Sequence, residues 1–239
     1  EFHVEQAMGE TDRGEEAAVR RALAGQDAVV HVAGIASIGR DPPARLFEVN
    51  VGGVEVVLGA ALEAGVSRAV LTSSTSVMGG TRRPVVQDEG AAGNAEALGI
   101  PYFLSKLKGE RAGLALAARG LPLVVVRPSY VLGPGDVHGS SPSTVLALAR
   151  RRIPAVVDGG ASFCDVRDVA RGHAEALERG RAGEVYVLGG HNEPVAALAL
   201  FNLLGRVPKA VEDIAAQMFQ SKASVVMTNV AGPQQPIHL

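Results

Sequence analysis

The chain has 239 residues, of which 47% are hydrophobic and 20% charged, and its formal net charge is -2. This composition supplies enough apolar surface for a core and excludes an intrinsically disordered chain. Because nucleic acids and anionic membranes are bound through clustered positive charge, the absence of a Lys/Arg block argues against both as the main partner. We therefore expect a small-molecule substrate and no nucleic-acid partner.

Cysteine content and hydropathy narrow the class further. Cys164 is the single cysteine, so an internal disulfide is excluded, and no Cys/His set with metal-ligand spacing accompanies it. No apolar run approaches the roughly 18 residues of a membrane span, and no signal-peptide pattern is present. These features predict a cytoplasmic protein with no metal site, in which Cys164 is a small packed side chain in a turn.

Short apolar runs alternate with longer helical patterns along the chain. Val- and Leu-rich runs predict strands at residues 27–33, 68–72, 121–127 and 184–188. Stretches rich in Ala, Leu, Arg and Glu predict helices at residues 13–24, 44–64, 102–119, 143–151 and 167–179. Continuous rather than alternating apolar strands are typical of a parallel sheet covered on both faces, so we predict a helix–sheet–helix α/β fold.

The alternation of strands and helices ends after Pro194. We place a domain boundary near Ala197, which predicts a first domain of residues 1–197 and a separate segment of residues 198–239.

Tyr102 and Lys106 lie four residues apart at the start of a predicted helix, so both side chains face the same way. A neighbouring cation stabilises a phenolate and lowers the pKa of a tyrosine from its usual value near 10. Tyr102 can then exchange a proton with a substrate oxygen while hydride moves to or from a nicotinamide. By itself this spacing is also compatible with a surface helix that carries a solvated lysine.

Other candidate residues flank the predicted strands. Ser74 follows the second strand, at the edge where open α/β sheets place their ligands, although serines also commonly cap a strand end. Asn50 lies in an apolar helix, where an amide needs a partner, either in the site or locally. Gly34 ends the first strand and permits close approach of a ligand to the backbone. His31 and His173 are expected to be hydrogen-bonded structural residues.

Taken together, these motifs resemble the extended short-chain dehydrogenase/reductase superfamily, in particular its dihydroflavonol-reductase-like and hopanoid-associated sugar-epimerase-like branch. The resemblance covers roughly residues 2–192. The segments that carry it are Asn50-Val-Gly-Gly-Val-Glu-Val-Val-Leu58, Thr72-Ser-Ser74, Tyr102 with Lys106, Arg127-Pro128 with Gly133-Pro-Gly-Asp136, and residues 152–190.

The resemblance implies a Rossmann-like, doubly wound parallel sheet and NAD or NADP as cofactor. It implies that Ser74 orients the substrate oxygen, that Tyr102 is the acid/base and that Lys106 lowers its pKa and bonds the nicotinamide ribose. Asn50 would support a water-linked proton relay. The implied cofactor contacts are Glu10, Ala33, Gly34, Tyr102, Lys106, Arg127 and Pro128. The family also commonly dimerises through the helices that carry Asn50 and Tyr102, which implies a homodimer.

The family's first strand, its G-x-x-G-x-x-G turn and the following helix are expected before Phe2, and the sequence does not contain them. The predicted sheet therefore lacks its first βαβ elements. Backbone N–H groups of that turn supply much of the phosphate binding, so the resemblance implies weak or no cofactor binding by these residues alone.

The C-terminal segment has a second resemblance. Residues 203–208 and 221–236 resemble the C-terminal domain of wax ester synthase/diacylglycerol acyltransferases, although the catalytic H-H-x-x-x-D-G of that family does not occur. Three hypotheses follow: an NAD(P)-dependent oxidoreductase or epimerase acting on a sugar-like, steroid-like or other apolar alcohol, a lipid-biosynthetic reductase–acyltransferase fusion, and a noncatalytic NAD-binding-like module.

Overall fold

The computed structural model describes residues 13–39, 41–81, 87–134 and 160–194. The chain divides into two compact units, the first formed by residues 1–80, 91–128 and 169–188 and the second by residues 81–90, 129–168 and 189–239. The predicted helix at residues 143–151, Glu10 and the whole segment of residues 198–239 lie outside the described residues.

The first unit contains a four-stranded parallel sheet in the order β1-β2-β3-β6. Its strands are β1 (Ala28–His31), β2 (Arg68–Thr72), β3 (Leu123–Pro128) and β6 (Val185–Leu188). All four correspond to the predicted strands, with ends that differ by up to two residues. The continuous apolar runs identified them correctly, since Leu123, Val124, Val125 and Val126 are each 0% exposed.

Helices cover both faces of this sheet, which confirms the doubly wound, Rossmann-like α/β fold. The helices described in the first unit are α1 (Arg13–Leu23), α2 (Pro43–Phe47), α3 (Gly53–Ala64), α4 (Ala95–Leu98), α5 (Pro101–Ala118) and most of α6 (Val166–Arg179). On one face, Leu71 and Val125 pack with Leu58 of α3 and Leu116 of α5. On the other face, the alternate strand residues pack against Ala176 of α6.

Local sequence signals explain where the main helices begin and end. Pro101 occupies the first turn of α5, where its missing N–H costs no hydrogen bond, and Gly65 ends α3 with a φ of 70°. The predicted helix at residues 44–64 is present but is interrupted by a π-helical turn, Glu48–Gly52, between α2 and α3. Such turns occur frequently at functional sites.

The second unit contains a small three-stranded sheet that the sequence analysis did not predict. Its strands are β4 (Tyr130–Leu132), β5 (Gly160–Asp165) and β7 (His191–Pro194), with β4 parallel and β7 antiparallel to β5. Tyr130 and Phe163 pair in register and pack edge to face, with ring centroids 5.4 Å apart. Cys164 therefore lies in a strand, so its predicted position in a turn was wrong, although it is buried as expected.

Candidate active site

Asn50 occupies the π-helical turn and is only 2% exposed. Its Oδ1 accepts a hydrogen bond from the backbone N–H of Ile35 at 2.8 Å, and its Nδ2 donates to the carbonyl of Ile35 at 3.0 Å. Ile35 follows β1, so the amide ties the carboxyl end of that strand to the helix. The partner that an amide in an apolar helix requires is thus a backbone segment distant in sequence.

Ser105 connects Asn50 to the helix that carries Tyr102. Asn50 Nδ2 also donates to Ser105 Oγ at 2.9 Å, and the Ser105 hydroxyl donates to the Tyr102 carbonyl at 2.8 Å. Both hydrogens of the Asn50 amide are therefore in use, which fixes its orientation. Sequence reasoning missed Ser105. The available signal was a serine three residues after Tyr102, on the same turn of α5.

Lys106 is held at the carboxyl end of β2, where its Nζ donates to the carbonyl of Thr72 at 2.8 Å. Burial lowers the pKa of Lys106 to about 8, and the nearby carboxylate of Glu110 acts in the opposite direction. Tyr102 lies one helical turn before Lys106 and is partly buried. The structure therefore gives Lys106 a fixed position next to the turn that carries Tyr102.

Gly34 brings the end of β1 close to both Asn50 and Lys106. A Cβ atom at Gly34 would lie 2.9 Å from Asn50 Oδ1 and 3.6 Å from Lys106 Nζ. Only glycine leaves this space open, as the sequence suggested for close approach of a ligand to the backbone. Gly34, Asn50 and Lys106 thus surround one point at the carboxyl edge of the sheet. An open cradle that holds an amide and an ammonium group fits the polar part of a nicotinamide cofactor.

His31 ends β1 and is 5% exposed, and its buried Nε2 has no hydrogen-bond partner among the described residues. The hydrogen bond expected for His31 is therefore not made there by Nε2. Burial, and secondly the charge of Lys106, lower the pKa of His31 to about 4, so the imidazole is neutral at pH 7. The neutral ring adds no second positive charge beside Lys106.

His173 approaches β2 from the opposite face of the sheet. Its Nδ1 lies 2.8 Å from the carbonyl of Val169 and its Nε2 lies 2.7 Å from Thr72 Oγ1. A carbonyl can only accept, so in the neutral ring Nδ1 carries the proton and Nε2 accepts from the Thr72 hydroxyl. Burial lowers the pKa of His173, opposed by the Val169 hydrogen bond. The expectation that His173 is a hydrogen-bonded structural residue is confirmed.

Ser74 follows β2 and precedes a single 3-10 turn, Thr75–Met78. Its Oγ accepts a hydrogen bond from the Ser76 N–H at 3.1 Å, which leaves the hydroxyl hydrogen as a donor. The 3-10 turn packs against α5, so the candidate substrate-orienting serine and the Tyr102 helix belong to the same side of the first unit.

The remaining predicted site residues are placed at strand ends or outside the described part. Ala33 and Gly34 follow β1, and Pro128 is the last residue of β3. The guanidinium of Arg127 pairs with a residue of α5: its Nε and Nη2 donate to the two carboxylate oxygens of Glu110 at 2.9 and 2.5 Å. The partner of Arg127 is thus Glu110, a residue that sequence reasoning missed. The available signal was its position on α5, four residues after Lys106.

Among residues 13–39, 41–81, 87–134 and 160–194, no three or more His, Cys, Asp or Glu side chains cluster as metal ligands would. Within the same ranges, no helix combines the length and the apolar character that a bilayer crossing requires.

Comparison with curated proteins finds relatives that share about one third of their residues with this chain. The chain is 32% identical over 194 residues to a putative dihydroflavonol 4-reductase of Synechocystis, a match that covers 79% of this chain and 56% of that protein. It is 32% identical over 190 residues to sterol demethylase protein B of Methylococcus capsulatus, with 79% and 57% covered. The chain thus spans little more than half the length of these relatives.

Solved structures show the same architecture. The crystal structure of gox2253 superposes with a TM-score of 0.74 at 30% identity and covers 92% of this chain and 71% of that chain. A double mutant of DesIV, a dTDP-glucose 4,6-dehydratase of Streptomyces venezuelae with NAD and DAU bound, gives a TM-score of 0.67 at 26% identity, with 79% and 60% covered.

Family assignments divide the chain in two. Residues 190–239 match the WS/DGAT C-terminal domain, in agreement with the resemblance found for the C-terminal segment. Residues 3–189 match the NAD dependent epimerase/dehydratase family, which confirms the resemblance to extended short-chain dehydrogenases. The chain belongs to the NAD dependent epimerase/dehydratase family.

Proposed function

We propose that the protein catalyses NAD(P)-dependent hydride transfer at a hydroxyl or keto group of a sugar-like, steroid-like or other apolar alcohol, as an oxidoreductase or epimerase. The observation that carries this proposal is the convergence of Gly34, Asn50 and Lys106 at the carboxyl edge of the sheet, one helical turn from Tyr102. Ligands of open α/β folds bind at this edge. Membership of an NAD-dependent family supports the same chemistry.

In the oxidation direction, the substrate hydroxyl gives its proton to the Tyr102 phenolate, and the carbon–oxygen single bond becomes a carbonyl. The positive charge of Lys106 stabilises the tyrosinate that accepts the proton. Ser74 donates its hydroxyl hydrogen to the substrate oxygen and orients it. The bound nicotinamide supplies the acceptor for the hydride that leaves the same carbon.

Asn50 and Ser105 serve this centre by position. The Asn50 amide uses both of its hydrogens within the protein, on Ile35 and Ser105. In this proposal its side chain holds the end of β1 against α5, so that Gly34 stays open to the cofactor. Gly34, Ala33 and Lys106 would hold the nicotinamide and its ribose, and Pro128 would line the neighbouring strand end.

Binding is tested by titration with NADH and NADPH, followed by nicotinamide fluorescence. The titration uses this chain and a form extended at its N-terminus by the strand, glycine turn and helix that the family resemblance places before Phe2. We expect saturable binding by the extended form. If neither form binds either nucleotide, the oxidoreductase proposal fails and the noncatalytic module replaces it.

Catalysis is tested in the form that binds. Tyr102→Phe should lower turnover of an alcohol substrate by about 10²- to 10⁴-fold while nucleotide binding persists, because only proton transfer is removed. Tyr186→Phe is the matched control, since the Tyr186 hydroxyl accepts from the Arg181 N–H in the same unit, away from Lys106. Equal loss in both variants would contradict the role of Tyr102.

A second candidate is a reductase–acyltransferase fusion in lipid biosynthesis, which the match of residues 190–239 to the WS/DGAT C-terminal domain favours. In that case the substrate at Tyr102 is either the alcohol that accepts the acyl group or the ketone that is reduced to that alcohol. Competition between long-chain alcohols and nucleotide sugars for the complex with oxidised cofactor tests this candidate. Preference for the nucleotide sugar would contradict it.

A further inference from the structure

Glu110 of α5 and Arg127 of β3 form a buried ion pair. The side chains are 3% and 13% exposed, and two hydrogen bonds of 2.9 and 2.5 Å join the guanidinium to both carboxylate oxygens. Taking two charges out of water is costly, and a well-packed apolar pair often replaces such a bridge without loss of stability. The pair therefore calls for an explanation beyond holding α5 to β3.

The same carboxylate also acts on Lys106. Glu110 lies four residues after Lys106, so both side chains project from one face of α5. Its charge raises the pKa of Lys106, whereas burial lowers it more strongly, to about 8. One carboxylate thus interacts with two cations, Lys106 and Arg127.

Within the described part of the chain, burial and the charge of Glu110 are the resolved influences on the pKa of Lys106. On β1, His31 is neutral at pH 7 because burial and the Lys106 charge lower its pKa to about 4. On α5 itself, Tyr102 is the other titratable group on this face. Three carboxylates on further elements that pack with the helices of this face lie in more exposed ion pairs: Glu48 with Arg45, Glu63 with Arg20, and Glu96 with Arg111. Glu55 of α3 is exposed.

We propose that Glu110 and Arg127 are positioning residues that set the charge state of Lys106, with Glu110 keeping the buried ammonium protonated and Arg127 limiting that effect. Arg127 does so by binding both oxygens of the carboxylate. The consequence for catalysis rests on the proposed function, in which a charged Lys106 stabilises the tyrosinate of Tyr102. The electrostatic coupling itself does not depend on that function.

Two single substitutions separate this role from a purely structural one. Glu110→Gln and Arg127→Gln both break the same ion pair, and both leave a partner unpaired in a buried position. A structural role predicts the same consequence for Lys106 from either change. The proposal predicts opposite consequences, because one variant removes the negative charge and the other removes the competing positive charge.

The measurement is the pKa of Lys106 by NMR in protein labelled with side-chain ¹⁵N-lysine. The chain contains four lysines, so a Lys106→Met variant assigns the signal. We expect Glu110→Gln to lower the pKa of Lys106 by at least about 0.5 unit and Arg127→Gln to raise it by a similar amount. Shifts in the same direction, or no shift in either variant, would overturn the proposal.

The double variant Glu110→Gln/Arg127→Gln covers the case in which a single variant does not fold. It leaves no unpaired charge, and its Lys106 pKa should fall between those of the two single variants. Compared with Arg127→Gln, it isolates the charge of Glu110 and should show a lower Lys106 pKa. An equal or higher value would overturn the proposal.

The pH dependence of turnover then separates the two proposals. In the form that binds cofactor, the limb assigned to Lys106 should move with its NMR pKa in each variant, and Glu110→Asp should restore the position of that limb. If the NMR pKa moves and the rate profile does not, the coupling stands and the catalytic role of Lys106 in the proposed function fails.

Discussion

Gly109 of α5 lies directly against the π-helical turn that carries Asn50. A Cβ atom at Gly109 would lie 2.1 Å from the Asn50 carbonyl oxygen, about 0.9 Å closer than the 3.0 Å that real Cβ atoms respect. The obstacle is backbone, which cannot rotate away as a side chain can. Gly109→Ala must therefore separate α5 from the π-helical turn or distort one of them.

Gly59 of α3 provides a matched control because a Cβ atom there would have no neighbour within 4 Å. Alanine at this helix-interior position should raise the free energy of unfolding by about 0.5–1 kcal/mol. Overpacking at Gly109 should lower it by about 1–3 kcal/mol. The free energies of unfolding of the two variants should thus differ by about 1.5–4 kcal/mol.

Urea-induced unfolding followed by circular dichroism measures this difference. The midpoint urea concentrations can be compared directly if the free energy of unfolding falls with urea at the same slope in both variants. Amide signals of Ile35 should shift in Gly109→Ala and stay unchanged in Gly59→Ala, since Asn50 holds Ile35. A difference of less than about 0.5 kcal/mol between the free energies of unfolding of the two variants would refute the packing argument, because overpacking alone should cost more than that.

Three further predictions follow from buried groups. Asn50→Ala should lower the free energy of unfolding by about 2–4 kcal/mol in urea titrations, because the N–H and carbonyl of Ile35 lose their partner, and Asn50→Asp should recover part of the loss by keeping the acceptor. As pH falls from 6.5 to about 4, the unfolded state binds a proton at His31 that the folded state does not, so stability should fall by about 3 kcal/mol in total. His31→Leu should flatten that part of the stability curve, and an unchanged slope would contradict the assignment. Burial, then the charges of Asp168 and Asp165, raise the pKa of Cys164, so iodoacetamide should alkylate the folded chain at least about 10-fold more slowly than the unfolded chain, and equal rates would contradict it.

Much of the first unit was predictable because its signals are local. Valine-rich runs predicted the four parallel strands, and the helical patterns predicted α1, α5, α6 and the continuous helical segment from α2 to α3 to within a few residues. The strand β5 was not predicted because Gly160-Ala-Ser-Phe-Cys-Asp165 contains small and polar residues instead of β-branched ones. Its pairing with β4 and β7 supplies what its own propensity lacks.

The candidate site was predictable only in its residue types. Sequence reasoning recognised that Asn50 needs a partner, but Ile35 and Ser105 are selected by the packing of three elements. The π-helical turn left no local pattern. Arg127 was expected to contact a cofactor, and the structure pairs its guanidinium with Glu110, whose position only the packing of α5 on β3 determines.

Thr72 makes contacts on both sides of the sheet. Its carbonyl accepts from Lys106, and its hydroxyl donates to His173 on α6. A single residue therefore links the α5 layer to the α6 layer, with its carbonyl held by one and its side-chain hydroxyl by the other. Because His173 binds the residue whose carbonyl anchors Lys106, a histidine of the α6 layer takes part in fixing the position of a side chain on the α5 layer.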